Sequence, residues 1–307
     1  MEKLKRPIFI IGARRSGTTL LRTILEGHPD LLVHPQEPQF FLDVYRRFGK
    51  QITKVPEALD LIVNHPYCAK PVTQVRLYHT FQGRKSVSLE ELVQEYIKLW
   101  GGEQLNHLRP VLKHPALIFH LGLIFEIFPE ACMIHIVRDP RANVSSQRAR
   151  WKKATIWECI LWWRDAVTIG HKLVQERPNQ CIEITYEALV KTPEETAQRL
   201  CDFLHLSYSA KLLEFELKTR SFAPGAETKQ NTFTRPDPSR LDLWKNQLSL
   251  LEIQMIENAC ARQMAFWGYP TTHHRVSSFA VKGRTLFEQT HYALLSMGRY
   301  LKKTRGR

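Results

Sequence analysis

Pro7-Ile8-Phe9-Ile10-Ile11-Gly12-Ala13-Arg14-Arg15-Ser16-Gly17-Thr18-Thr19-Leu20-Leu21 is the stretch that decides the fold. It reads as a short apolar strand, a tight glycine-bearing turn and the start of a helix. That order aims several backbone N–H groups and the positive end of a helix dipole at one point, which makes an anion site. Gly12 and Gly17 have the spacing of a Walker loop, but Thr18 stands where that loop requires lysine. A nucleoside triphosphate would lose its main β/γ-phosphate cation there. Arg15 instead places a cation inside the loop, and Thr18 and Thr19 add hydroxyls. The loop suits a phosphate-like group other than the end of ATP.

Outward from this stretch, strand-like runs alternate with helical ones, the pattern of a parallel sheet covered by helices on both faces. The expected strands are Ile8 to Ile11, Leu31 to His34, Val111 to Lys113, Cys132 to Val137 and Cys181 to Thr185. Helices are expected from near Gly17, Ser88, Pro115, Asp139, Thr155, Thr192 and Ser249. Ser88 with Glu91, Thr192-Pro193-Glu194-Glu195, and Ser249 with Glu252 read as N-terminal caps. Between Trp151 and Glu176, Ile156, Ile160, Trp163 and Val167 form one stripe, read as core. Lys218 to Ser239, with Pro224, Gly225, Pro236 and Pro238, reads as a long irregular segment, a lid from about Ser221 onward.

The formal charge of +14 calls for anionic partners. No zinc-finger, RNA-recognition or basic-zipper signature is present, so nucleic acid is not expected. Cys68, Cys132, Cys159, Cys181, Cys201 and Cys260 lack paired spacing and mostly sit in apolar stretches, as free buried thiols do. The histidines show no ligand pattern; His273-His274 is the only adjacent pair. Met1 to Arg6 is polar and basic, and no apolar run reaches the length of a membrane span, so the cytoplasm is the expected compartment. Residues 1–270 are expected to form one domain and 271–307 a basic helical tail. In that tail Leu286, Thr290, Leu294, Met297 and Leu301 share one face, and Arg299, Lys302, Lys303, Arg305 and Arg307 supply charge. A peripheral membrane contact is one use for such a segment, a solvated docking helix the other.

A second basic motif follows the fourth strand: Ile134-His135-Ile136-Val137-Arg138-Asp139-Pro140-Arg141-Ala142-Asn143-Val144-Ser145-Ser146. Arg138 falls at the carboxyl end of a buried strand, where open α/β sheets bind ligands. Asp139 can cap the next helix, with Pro140 in its first turn. Ser146 and Arg150 lie one turn apart and can join Arg138 around an anion. Two such sites imply a nucleotide with phosphate-like groups at both ends.

These two motifs resemble those of sulfotransferases. Arg14 to Leu21 is similar to the 5′-phosphosulfate loop in its arginine-bearing version, found in tyrosylprotein and many bacterial enzymes. The segment from Ile136 to Arg150 is similar to the 3′-phosphate motif. The resemblance covers roughly Pro7 to Pro270 and includes an ending, Leu243 to Tyr269, like the family's terminal segment. It implies a P-loop-like three-layer α/β/α fold with a central parallel sheet of about five strands. The implied donor is 3′-phosphoadenosine 5′-phosphosulfate (PAPS), leaving as adenosine 3′,5′-bisphosphate (PAP), and no metal is required. Arg15, Ser16, Gly17, Thr18 and Thr19 would hold the 5′-phosphosulfate. Arg138 and Ser146, with Arg150, would hold the 3′-phosphate, and Tyr186 would lie near the adenine. The ending departs from the family in having Leu243 before Trp244, where relatives often carry a basic residue; Arg240 and Lys245 are the nearest substitutes.

Sulfuryl transfer needs a base for the acceptor's proton and cations over the transferring group. Glu37, in His34-Pro35-Gln36-Glu37-Pro38-Gln39-Phe40-Phe41, follows the second strand and should face the same mouth as the first loop. The run also resembles the E-P-x-F-F stretch where glycan-modifying relatives place their catalytic glutamate. The alternative use of Glu37 is to cap the helix begun by Phe40-Phe41. His114 is the second candidate base, although relatives place a histidine two residues after the strand-end lysine rather than one. Lys113 is expected to stabilise charge on the bridging oxygen, and Arg15 with the loop N–H groups to complete the catalytic positive field. The expected activity is in-line transfer to a hydroxyl or amine of a carbohydrate, lipid, phenol or peptide tyrosine. An ATP-dependent phosphotransferase and a non-catalytic binder of anionic glycans or membrane surfaces are the rival readings.

Overall fold

Burial of successive residues on opposite faces makes the first strand the axis of the molecule. In the computed structural model, which describes residues 4, 6–66, 68, 71–215, 236–272 and 276–305 (backbone alone at 71–74 and 298–305), β1 (Ile8–Gly12) is wholly buried. Phe9 and Ile11 face one hydrophobic core, Ile8 and Ile10 the other. Only a strand covered on both sides can be apolar at every position.

The chain runs from β1 into α1 (Thr18–Leu25) and β2 (Leu31–Val33), then α2 (Phe40–Phe48). Next come β3 (Gln51–Ile52), α3 (Val55–Val63), α4 (Pro71–Phe81), β4 (Val87–Ser88) and α5 (Leu89–Gly101). β5 (Arg109–Lys113), α6 (Leu121–Ile127), β6 (Cys132–Val137), α7 (Pro140–Arg150) and α8 (Ile156–Glu176) follow. The remainder is β7 (Cys181–Thr185), α9 (Tyr186–Lys191), α10 (Pro193–Leu204), α11 (Trp244–Gln247), α12 (Leu250–Phe266) and α13 (Ser278–Arg305).

The five long-range strands form a parallel sheet in the order β2-β5-β1-β6-β7. β1 pairs with β5 through Ile8↔Val111 and with β6 through Ile8↔Cys132. Strand order therefore reverses at β1, and the crevice beyond its carboxyl end is the place where such sheets bind ligands. One face is covered by α1 and α10, with Leu21, Ile24, Leu200 and Leu204 in the core. The other carries α8, whose Ile156, Ile160, Trp163 and Val167 are buried as the stripe predicts. This is the expected three-layer α/β/α arrangement. β3 and β4 form a separate antiparallel pair, Ile52↔Val87, among the helices between β2 and β5.

Expected caps hold at several helix starts. The Ser88 and Asp139 side chains accept N–H groups at the starts of α5 and α7, and Ser249 with Glu252 forms a reciprocal capping box on α12; Thr155, expected only to stand near a helix start, caps α8 as well. Thr192 is a correction. Pro193 opens α10 as expected, but the Thr192 side chain makes no cap; its hydroxyl donates to the Ala188 carbonyl, 3.2 Å away, at the end of α9. The helix expected from Pro115 begins as a 3-10 turn, Pro115–Phe119, before α6. Cys132, Cys159, Cys181, Cys201 and Cys260 are buried free thiols, and Cys68 is half-buried. The expected lid falls largely outside the described residues; its end enters a 3-10 turn at Pro238–Asp242. His273-His274 also lies outside them.

Candidate active site

All five parallel strands deliver a polar group to the same edge. In spatial order these are Glu37 after β2, Lys113 ending β5, the Ala13–Gly17 loop after β1, Arg138 after β6 and Tyr186 after β7.

The loop takes its shape from positive backbone angles. Gly17, the residue before α1, has φ 95°, and Arg15 has φ 69°, a left-handed conformation that an arginine adopts only at a cost. A side chain on Gly17 would collide with the Tyr186 ring, so glycine there is also a packing requirement. No side chain caps the start of α1, and its first turn holds no acid. The leading N–H groups and the dipole therefore remain directed at the crevice.

The two basic motifs meet along one seam. Arg15 Nε donates to Ser146 Oγ at 3.1 Å, and Arg138 Nη1 donates to the Arg15 carbonyl at 3.1 Å. The Arg138 guanidinium lies over the Tyr186 ring, 4.4 Å from its centroid. Arg150, exposed at the end of α7, adds a third positive charge. Arg15 is held below the usual arginine range by burial, then by Arg138 and Arg150, with Glu37 opposing. Such a concentration of positive charge fits an anionic ligand. The Arg138 Nε is buried and makes no hydrogen bond among the described residues.

Beside the loop, Lys113 is almost wholly buried and forms an ion pair with Glu37, whose side chain is 29% exposed. Lys113 Nζ also donates to Thr19 Oγ1 at 3.3 Å, tying β5 to the first turn of α1. Glu37 is placed by the buried Arg22 of α1, whose Nη1 donates to the Pro35 carbonyl at 2.5 Å. His34 adds a second brace: its ring bonds the Gln36 carbonyl at 2.9 Å and the Tyr96 hydroxyl at 3.1 Å. Burial drives His34 down to about 4, so the ring is neutral. Gln39, not Glu37, precedes α2, and no side chain caps that helix. His114 is also buried and pushed down to about 4 by burial, with the Glu37 charge acting against it. Its Nδ1 accepts the Ala116 N–H at 3.3 Å, which makes it the cap of the following 3-10 turn.

Sequence reasoning missed the groups that hold the loop from behind. Asn143 on α7, fully buried, donates through Nδ2 to the Arg14 carbonyl at 3.0 Å and to Ser16 Oγ at 2.9 Å. Its Oδ1 accepts from Gln147 Nε2 at 2.6 Å, and Gln147 in turn accepts from Arg14 Nε at 2.9 Å. Arg14 points away from the crevice, between the rings of Trp151 and Trp162 at 4.6 and 4.1 Å. Trp163 Nε1 donates to the Arg138 carbonyl at 2.9 Å, so a core residue fixes the second motif. The only advance signal was position: Asn143 lies one turn before Gln147 and within the quoted motif.

The terminal segment closes on the same helix. Arg141 bonds Asp139 and Glu257, and its guanidinium sits 4.2 Å from the Trp244 ring centroid. Lys245 and Arg240 instead pair with Asp242 and Asp237 at the surface, at 3.1 and 3.4 Å.

The Sulfotransferase family matches residues 7–210, most of the chain, and the chain belongs to that family. It is 29% identical over 220 residues to protein-tyrosine sulfotransferase 1 of Danio rerio, covering 68% of this chain and 56% of that one. It is 25% identical over 243 residues to the omega-hydroxy-beta-dihydromenaquinone-9 sulfotransferase Stf3 of Mycobacterium tuberculosis, covering 65% and 63%. The chain spans about half the length of the curated relatives it matches. Its fold is similar to that of the sulfotransferase domain from the Synechococcus PCC 7002 olefin synthase. The TM-score is 0.66 at 19% identity, over 89% of this chain and 98% of that one.

Proposed function

We propose that the chain transfers a sulfuryl group from PAPS to an acceptor hydroxyl. The observation that carries this reading is the order of groups along the sheet's carboxyl edge: a carboxylate, a lysine, a cationic loop, an arginine and an aromatic ring. Donor and acceptor chemistry are thereby laid out side by side.

In this reading Arg15, Ser16, Gly17, Thr18 and Thr19 hold the 5′-phosphosulfate. Arg138, Ser146 and Arg150 hold the 3′-phosphate, and Tyr186 lies against the adenine. The buried, unpartnered Nε of Arg138 supports the fit, because a phosphate oxygen is the acceptor it lacks. The donor supplies the sulfuryl group and departs as PAP. The ion pair with Lys113 presents Glu37 as a carboxylate, the form a proton acceptor needs. Glu37 takes the acceptor's proton as the acceptor oxygen bonds to sulfur and the bridging S–O bond breaks. Lys113 turns from Glu37 toward the bridging oxygen and stabilises the charge that gathers there. His114 suits the base role less, being almost wholly buried and with its Nδ1 already committed to capping its own turn.

The relatives' names, one for tyrosine and one for an omega-hydroxy quinone, support a hydroxyl acceptor. The helices from α2 to α5 lie on the Glu37 side and would shape its pocket. Radiolabelled donor incubated with the protein and a cell extract should yield labelled products, identified by mass as gaining sulfate. Glu37→Gln should abolish that transfer while leaving PAP affinity unchanged. Full turnover by the variant removes Glu37 from the base role, and absence of any labelled product with the native chain contradicts the reading as a whole.

A further inference from the structure

α13 has two unlike faces. Val281 and Glu288 are buried where the helix packs on α8 and α12, and Arg284 pairs with Glu288 at 2.8 Å. Phe279, Leu286, Phe287, Leu294 and Met297 are between 55% and 87% exposed. At helical spacing these five fall in one stripe roughly 100° wide, centred opposite Val281. A helix docked by one face ordinarily turns polar residues outward. Single exposed apolar side chains need no explanation, but five large ones aligned on one helix do.

Charge selects the occupant. Glu288 is the only acid between Ser278 and Arg305, and it is buried and paired. Lys282 and Arg284 flank the stripe, and the sequence adds Arg299, Lys302, Lys303 and Arg305 toward the end of the helix. A second copy would bring two such cationic helices together. An acidic lipid headgroup layer accepts both the apolar stripe and the flanking cations. Among the described residues no helix is long and apolar enough to cross a membrane.

We propose that α13 docks the protein flat on an anionic lipid bilayer through the Phe279–Met297 stripe. The inference is independent of the sulfuryl-transfer reading. Vesicles of phosphatidylcholine mixed with phosphatidylglycerol should co-sediment the full chain, and added salt should weaken the binding. Leu286→Glu, Phe287→Glu and Leu294→Glu combined should weaken it about tenfold or more, because they remove the inserted surface. The near-ultraviolet circular dichroism of this variant should be that of the native chain. Lys302→Glu with Lys303→Glu should weaken binding to the same vesicles through charge alone. Failure of the native chain to sediment with the mixed vesicles overturns the proposal, as does undiminished binding by the triple variant. Light scattering that shows a lipid-free dimer, converted to monomer by the triple variant, would assign the stripe to self-association and overturn it too.

Discussion

Asn143→Ala should cost far more than an average helix substitution, because Asn143 joins the folding of α7 to the shape of the loop. The side chain donates to the Arg14 carbonyl and Ser16 Oγ and accepts from Gln147; the bonds with Ser16 and Gln147 are buried and the one to Arg14 is partly so. At about 1 kcal/mol for each hydrogen bond, the loss is about 3 kcal/mol, more if the abandoned groups stay dry. Loosening of Ser16 should also reach the anion site, weakening PAP binding about tenfold. Asn143→Asp sharpens the test. It keeps the shape, the acceptor and a partner for the Ser16 hydroxyl, but sets a carboxylate against the Arg14 carbonyl and near the expected phosphates. Its affinity for PAP should fall below that of the alanine variant. Urea unfolding with calorimetric titration of PAP measures both effects. A stability change below about 1 kcal/mol, with unaltered PAP affinity in both variants, would refute the role of Asn143 as the clamp of the loop.

Arg138→Ala removes a guanidinium that has a free buried Nε and also braces the Arg15 carbonyl. A charge-assisted phosphate contact is worth about 1.5–3 kcal/mol, so PAP affinity should drop by roughly one to two powers of ten. Calorimetry showing native affinity would reject the assignment. Acid should destabilise the fold through His34 and His114, both lowered from 6.5 to about 4. The unfolded chain protonates them near 6.5 and the folded chain only near 4. Their contribution is therefore complete above 6.5 and is lost as pH falls toward 4, by about 3 kcal/mol for each histidine once both states are protonated. Urea midpoints that rise on acidification through this range would contradict the buried neutral rings.

Much of the fold was legible because the five parallel strands are short, largely buried runs bounded by turn and helix-start residues. Ile8 to Ile11 and Cys132 to Val137 are apolar almost throughout, as a covered central strand requires. The candidate site was legible where chemistry repeats in a short window, as in the Arg15 loop and the Arg138 segment. The clamp was not, since Asn143, Gln147 and Arg14 are joined only by tertiary contact and an asparagine within a helix carries no periodic signal. Arg22 escaped notice for the same reason: within α1 it looks like a surface residue, yet it is buried and carries the Glu37 segment. Thr192 shows the opposite failure. A local pattern predicted a cap, but the preceding turn of α9 offered its hydroxyl a carbonyl instead.

Calorimetric titration with PAP against ATP puts the central claim, that one cationic crevice grips both ends of an adenosine-based sulfate carrier, to its most direct trial. PAP should bind with one site per chain and more tightly than ATP, because the loop has Thr18 in place of the triphosphate-binding lysine and Arg138 awaits a 3′-phosphate. Tighter binding of ATP, or no heat with PAP, would contradict it.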